Sequence, residues 1–113
     1  GAYNVKLVVG IVHDKDAHKL ADELVASNIQ ATKLASTGGF LREGNTTFLI
    51  GVEEERVDKV IEIIRKNCKS RSQTVAPVYP VGNSIETGVT YPTEIQVGGA
   101  TVFVLDIEQF YKL

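Results

Sequence analysis

Several things are scarce in this sequence, and each scarcity removes a class of function. There is no basic excess: 12 Lys and Arg face 14 Asp and Glu, for a formal net charge of −2. A general nucleic-acid-binding surface needs surplus cations along the phosphate backbone, so that class is set aside and only a local basic patch stays open. The lone cysteine, Cys68, excludes an intramolecular disulfide and suits a reducing compartment. No apolar run approaches the length needed to span a bilayer, and no charged segment leads into a short apolar one as in a secretory signal. A cytoplasmic protein with no membrane partner is the expectation. Proline is confined to one stretch, where Pro77, Pro80 and Pro92 lie close together.

What is present fits one domain. A chain of 113 residues can bury a single core without staples, and 43% hydrophobic with 23% charged residues is ordinary for a globular protein. Gly1 and Ala2 precede the first patterned segment and are read as lying outside the fold. Val5 to Val12 is a β-branched-rich run that predicts a buried strand. Asp14 is expected at the following N-cap, with Asp16 placing negative charge near the positive end of the helix dipole. Ala17, Leu20, Ala21, Leu24 and Val25 recur at helical spacing, and Asn28 suits the helix end because Asn tolerates the left-handed conformation.

Strands are expected over Ile29 to Ala35 and Thr46 to Val52. Glu53 to Glu55 should open a second helix with the apolar stripe Val57, Val60, Ile61 and Ile64, and with Arg65, Lys66 and Lys69 toward its end. Ser70 to Pro92 breaks the pattern and reads as a long flexible loop, of a length more often functional than filler. Ile95 to Ile107 supplies the last strand, interrupted at Gly98-Gly99. The order is βαββαβ, an α+β ferredoxin-like arrangement of an antiparallel sheet with helices on one face. Its other face would be buried by self-association, although periodicity does not count subunits.

Thr37 to Gly51 holds the densest chemistry. Gly38, Gly39 and Gly44 allow backbone N–H groups to converge on an oxygen-rich ligand. Phe40 offers a flat apolar face poorly placed for core, and Asn45 offers both an amide oxygen and an amide nitrogen. The set suits a nucleotide; read alone, it is also a glycine-rich hairpin. Elsewhere the chemistry is thin. His13, His18 and Cys68 show no clustered ligand spacing, so no metal site is read. Asp14 and Asp16 are better explained by helix capping than by magnesium, and Arg42, Lys33 and Lys15 are ordinary solvated cations unless a phosphate sits near them. No nucleophile, base and orienting group come together, so no catalytic residue and no cofactor are assigned.

Four ordered motifs carry a resemblance: Ala31-Thr32-Lys33-Leu34, Thr37-Gly38-Gly39-Phe40-Leu41, Gly44-Asn45-Thr46-Thr47-Phe48 and Val97-Gly98-Gly99-Ala100-Thr101-Val102. Over about Val5 to Phe110 the chain resembles the cyclic di-AMP receptor family of PII-like signal-transduction proteins of Gram-positive bacteria. The resemblance implies a non-catalytic homotrimer with ligand sites in clefts between subunits. It implies a short ligand-contacting loop over Thr37 to Asn45, a long loop over Ser70 to Pro92, and signalling to a protein partner through loop reordering. Carried over by position, the contacts are Asn28, Thr32, Gly39, Phe40, Leu41, Asn45 and Gly51, with Phe103 and the C-terminal tail as further contributors. Gln30 departs from the pattern, since relatives usually have Arg there; the loss of a cation beside a dianion bears on affinity rather than fold. The competing readings are an ATP-binding PII-like regulator, a metal-binding trimer of the same topology, and an enzyme acting on nucleotides.

Overall fold

The computed structural model describes residues 4–35, 44–75 and 93–113. The chain runs β1 (Val5–His13), α1 (Asp14–Ala26), β2 (Thr32–Ala35), β3 (Asn45–Glu53), a 3₁₀ turn (Glu54–Arg56), α2 (Val57–Cys68), β4 (Arg71–Val75), β5 (Thr93–Val97) and β6 (Ala100–Asp106). Four strands form an antiparallel sheet in the order β2-β3-β1-β6. This is the ferredoxin-like arrangement expected from βαββαβ. β1 lies at its centre, paired with β3 from Val5↔Glu53 to His13↔Asn45 and with β6 from Lys6↔Asp106 to Val12↔Ala100.

Strand alternation decides which side the helices cover. Val8 and Val12 of β1 and Phe48, Ile50 and Val52 of β3 point to one face and are buried. Leu20 and Leu24 of α1 and Val60, Ile63 and Ile64 of α2 complete that core. Full burial of such side chains contributes about 1.5–3 kcal/mol each before conformational entropy is counted. α2 packs close to β1 at Gly10, where a β-carbon would stand 3.2 Å from Ile64 Cδ1. Leu7, Val9 and Ile11 point the other way, among Leu34, Leu49, Phe103 and Leu105. That second face carries no helix, and Phe103 on it is 53% exposed.

The structure departs from the sequence expectations in five places. His13, not Asp14, holds the N-cap position of α1, with φ −68° and ψ 144°. Asp14 is the first helical residue, and its carboxylate accepts a 2.5 Å hydrogen bond from the Thr46 hydroxyl. Ile29 precedes β2 and belongs to the core instead. Val25, placed by spacing on the apolar stripe, is exposed. The Glu53–Glu55 run ends β3 and makes a 3₁₀ turn before α2 begins at Val57.

The fifth departure is the largest. The segment expected as loop from Ser70 begins with β4, which pairs with β5 from Arg71↔Val97 to Val75↔Thr93 as a separate two-stranded ribbon. The expected final strand is therefore two strands in two sheets. Gly98 and Gly99, with φ of 79° and 100°, make the corner between them. L side chains rarely adopt these angles, so the glycines are required by the turn itself. The remainder of the expected loop, 76–92, lies outside the described residues.

Candidate functional site

α1 ends in a specific backbone device. Asn28 has φ 60°, and among the described residues it is the one non-glycine residue with positive φ. Its N–H donates to the Val25 carbonyl at 2.9 Å, and the Ile29 N–H donates to Leu24 at 2.9 Å. Those two bonds define a Schellman turn, and the buried Leu24 and Ile29 supply the apolar contact that accompanies it. The expectation for Asn28 as helix terminator is met, through its backbone. The chain is thereby turned directly into Gln30, Ala31 and β2.

Beside this turn opens a cleft of about 600 Å³ lined by Val25, Asn28, Ile29, Gln30, Ala31, Thr32, Leu49, Gly51 and Phe110. Its floor follows from strand register. Thr32 of β2 lies opposite Leu49 of β3, on the face without helices. Gly51, two residues along β3, presents bare backbone there: nothing lies within 4 Å of where its β-carbon would be. Among the described residues, the side chains of Asn28, Gln30 and Thr32 make no hydrogen bond. They offer amide and hydroxyl donors and acceptors to whatever enters, while Val25, Leu49 and Phe110 offer apolar surface. No lining side chain carries a charge. An apolar wall with a few convergent polar groups is the usual composition of a small-molecule site.

Four of the expected site residues meet here: Asn28, Gln30, Thr32 and Gly51. Two others do not. Asn45 begins β3, opposite His13, whereas Gly51 lies six positions along the same strand, roughly 20 Å away at strand rise. Phe103 sits in the same cross-strand row as Thr32, Leu49 and Val9, but three strand spacings from Thr32, roughly 14 Å. Gly39, Phe40 and Leu41 lie outside the described residues. The cleft adds Val25, Ile29, Ala31 and Leu49, and it takes in Phe110 from the C-terminal tail that the resemblance implied as a contributor. Leu49 and Val25 carried no signal, because register and helix end placed them there.

At the other end of α1 a polar cluster ties three elements together. The Asp14 N–H donates to the Gly44 carbonyl at 3.1 Å. The buried Asp16 carboxylate accepts from Arg71 of β4, at 2.8 Å from Nη2 and 3.4 Å from Nη1. The same Arg71 Nη1 donates to the Lys69 carbonyl at 3.1 Å. The bond to Asp16 holds the Arg71 guanidinium pKa above its ordinary value. Cys68, fully buried nearby, has its thiol pushed up to about 11 by desolvation and by the Asp16 charge, which makes it a packing residue and not a nucleophile. Among the described residues no group of three or more His, Cys, Asp or Glu is placed to hold a metal ion. No helix among them is long and apolar enough to cross a membrane.

The fold recurs in a crystal structure of a functionally unknown protein from Pediococcus pentosaceus ATCC 25745. The two are 48% identical, with a TM-score of 0.80 over 99% of this chain and 100% of that one. CutA1 from Oryza sativa is a more distant likeness, at 14% identity and a TM-score of 0.47 over 96% of this chain and 85% of that one. The profile of the cyclic-di-AMP receptor family matches residues 5–113, which takes in every described helix and strand and every residue of the cleft, and the chain belongs to that family.

Proposed function

We propose that this protein is a non-catalytic receptor that binds cyclic di-AMP in clefts between the subunits of a homotrimer and passes the signal to a protein partner by reordering loops. The observation that carries the reading is the cleft at the end of α1, where Asn28, Gln30 and Thr32 converge with unspent hydrogen-bonding groups beside apolar surface. Two adenines and two phosphates need flat apolar contact and neutral or cationic donors, and this lining offers the first and part of the second. None of its side chains titrates near neutrality, so it supplies no general acid or base. That favours binding over turnover.

The trimer is supported by two features of the sheet. Leu34, Phe103 and Leu105 are half-exposed on the face without helices, an apolar surface that a second copy would cover. Asn45 and Phe103, each well separated from Gly51 or Thr32 within one chain, join a single site only where a neighbouring subunit brings its own copy alongside. Gly39, Phe40 and Leu41, which the sequence resemblance implies as ligand contacts, complete the proposed set. Binding then shifts loop populations toward conformers with better ligand contacts.

Calorimetric titration against cyclic di-AMP, cyclic di-GMP and ATP tests the ligand, with light scattering on the same sample. Saturable binding of cyclic di-AMP at one site per chain in a particle of three chains is the expected result. Preference for ATP would turn the reading to an ATP-binding PII-like regulator. A monomer mass at micromolar concentration would remove the intersubunit cleft, and ligand breakdown on chromatography would replace the receptor with an enzyme.

A further inference from the structure

Arg56 belongs to no motif singled out in the sequence, and it does not line the cleft. Its guanidinium reaches back from the 3₁₀ turn after β3 to the end of α1. There Nη2 donates to the Ser27 carbonyl at 3.0 Å and Nη1 donates to the Asn28 carbonyl at 3.4 Å. The last carbonyls of a helix lack intrahelical partners and form the negative end of its dipole. The final turn of α1 has no basic residue of its own. The Schellman turn occupies the carbonyls of Leu24 and Val25, and Arg56 takes those of Ser27 and Asn28, just past the end of the helix. A fork of two donors on consecutive carbonyls fixes the peptide plane between them, because a guanidinium is planar and its N–H directions are rigid.

We infer that Arg56 is a positioning residue for the nucleotide cleft: it clamps the Ser27-Asn28 turn so that the Asn28 amide faces the ligand. The inference rests on the cyclic di-AMP reading of the cleft. The geometry gives it two routes to the site. Arg56 holds Asn28 through the carbonyls, and it follows Gly51, another lining residue, five positions later in the chain. Asn28 has a side chain free of other bonds among the described residues, so only its backbone is available to orient it. Without the clamp, the Schellman bonds keep the helix end, but the peptide that carries the Asn28 amide is free to rock.

The test uses the full chain in four forms beside wild type: Arg56→Ala, Arg56→Lys, Asn28→Gly and the double variant Arg56→Ala/Asn28→Gly. Cyclic di-AMP affinity is read by calorimetry, thermal stability by a melt and assembly by light scattering. Glycine keeps the left-handed turn while deleting the amide, so Asn28→Gly removes what Arg56 is said to position. Arg56→Ala should weaken binding by about threefold to tenfold, toward the lower part of the coupling seen between residues sharing one hydrogen-bond network. Arg56→Lys, which keeps the charge and one donor, should recover part of the loss. In the Asn28→Gly background, Arg56→Ala should cost no further affinity while lowering the melting temperature as it does alone. Equal losses of affinity in both backgrounds would mean a general structural role and overturn the inference, as would unchanged binding by Arg56→Ala. Should Arg56→Ala fail to fold, the same cycle run with Arg56→Lys decides in the same way. A wild-type protein that takes up no cyclic di-AMP overturns the functional reading and this inference together; wild-type binding with an insensitive Arg56 overturns the inference alone.

Discussion

The two ends of α1 are held in opposite ways. At the N-terminal end the helix contributes its side chains: Asp14 is bonded by Thr46 and Asp16 by Arg71. At the turn that ends the helix the hydrogen bonds of the Schellman motif and of Arg56 run through backbone carbonyls, and the Asn28 side chain makes no hydrogen bond among the described residues. The first arrangement spends the chemistry of its residues on the fold. The second leaves it available. A residue can therefore terminate a helix and read a ligand at once, provided the two tasks use different atoms.

The contrast is sharpest at Gly98, which closes the N-terminal cluster from outside. A β-carbon there would lie 2.4 Å from Arg71 Nη1 and 2.8 Å from the Lys69 carbonyl oxygen. With the strain of a positive φ added, Gly98→Ala should destabilise by about 2–5 kcal/mol. Denaturant midpoints measure this, and a midpoint within error of wild type would show that the corner has room to relax.

Asp16→Ala should come next. It strips a buried carboxylate from a guanidinium that is itself 39% exposed and can recover water. That places the cost at roughly 1–3 kcal/mol, below the value for a fully buried pair. Affinity for cyclic di-AMP per folded molecule should hold. A loss of affinity in step with stability would mean the two ends of the helix are not independent.

Asn28→Gly reverses the signature. Glycine is the favoured residue at this turn, so stability should stay within about 0.5 kcal/mol of wild type, while affinity falls about tenfold with the loss of an amide to the ligand. Normal binding by this variant would leave Asn28 with a backbone role only.

Gln30→Arg tests the departure that the sequence resemblance implies at this position. A guanidinium forms a charge-assisted bond to phosphate where a glutamine amide forms a neutral one. Binding should tighten severalfold, within the difference between about 1 and roughly 1.5–3 kcal/mol for the two kinds of bond, and become more salt-sensitive. Equal affinities and equal salt slopes would place residue 30 in solvent.

The smallest effect is expected between the helices. Hydrogen bonds from Asn67 and then Lys66 hold the Glu23 carboxyl below its ordinary value of 4.5. The folded protein binds that proton less readily than the unfolded chain does. The associated stability is present above 4.5 and fades as pH falls through the lowered value. Glu23→Gln should lower stability slightly at neutral pH and converge with wild type in acid, which flattens the acid limb of the stability curve; an unaltered acid limb would assign acid sensitivity to other carboxylates.

Much of this organisation was legible from residue order, for reasons that mark where legibility stops. The apolar, β-branched run Val5 to Val12 and the helical spacing in Ala17 to Leu24 reflect burial, so strand and helix could be read, and the open face followed from the βαββαβ order. Asn28 was legible because few residues tolerate its backbone angles. β4 was not: Arg71-Ser72-Gln73-Thr74-Val75 has one apolar residue, and its partner β5 lies far along the chain, so pairing is carried by the backbone alone. Arg56 stayed hidden because a clamp on carbonyls leaves no periodic trace, and Phe110 was reached only as part of the C-terminal tail that the resemblance implied. The cleft residues Asn28, Gln30, Thr32 and Gly51 were identified through family motifs, since as isolated polar and glycine positions they look ordinary.

The Gly98-Gly99 corner has a consequence for how such a protein can diversify. The Gly99 N–H donates to the Cys68 carbonyl, joining the point where the ribbon leaves the body to the point where it returns. With its two feet fastened at the base and β4 paired to β5 above them, Val75 and Thr93 stand opposite each other whatever the length of chain between them. Loop closure grows only logarithmically with length, about 0.6 kcal/mol for each doubling. Insertions or deletions between these two strands should thus leave the body and its cleft intact, so that length can change there at little cost to the rest of the fold.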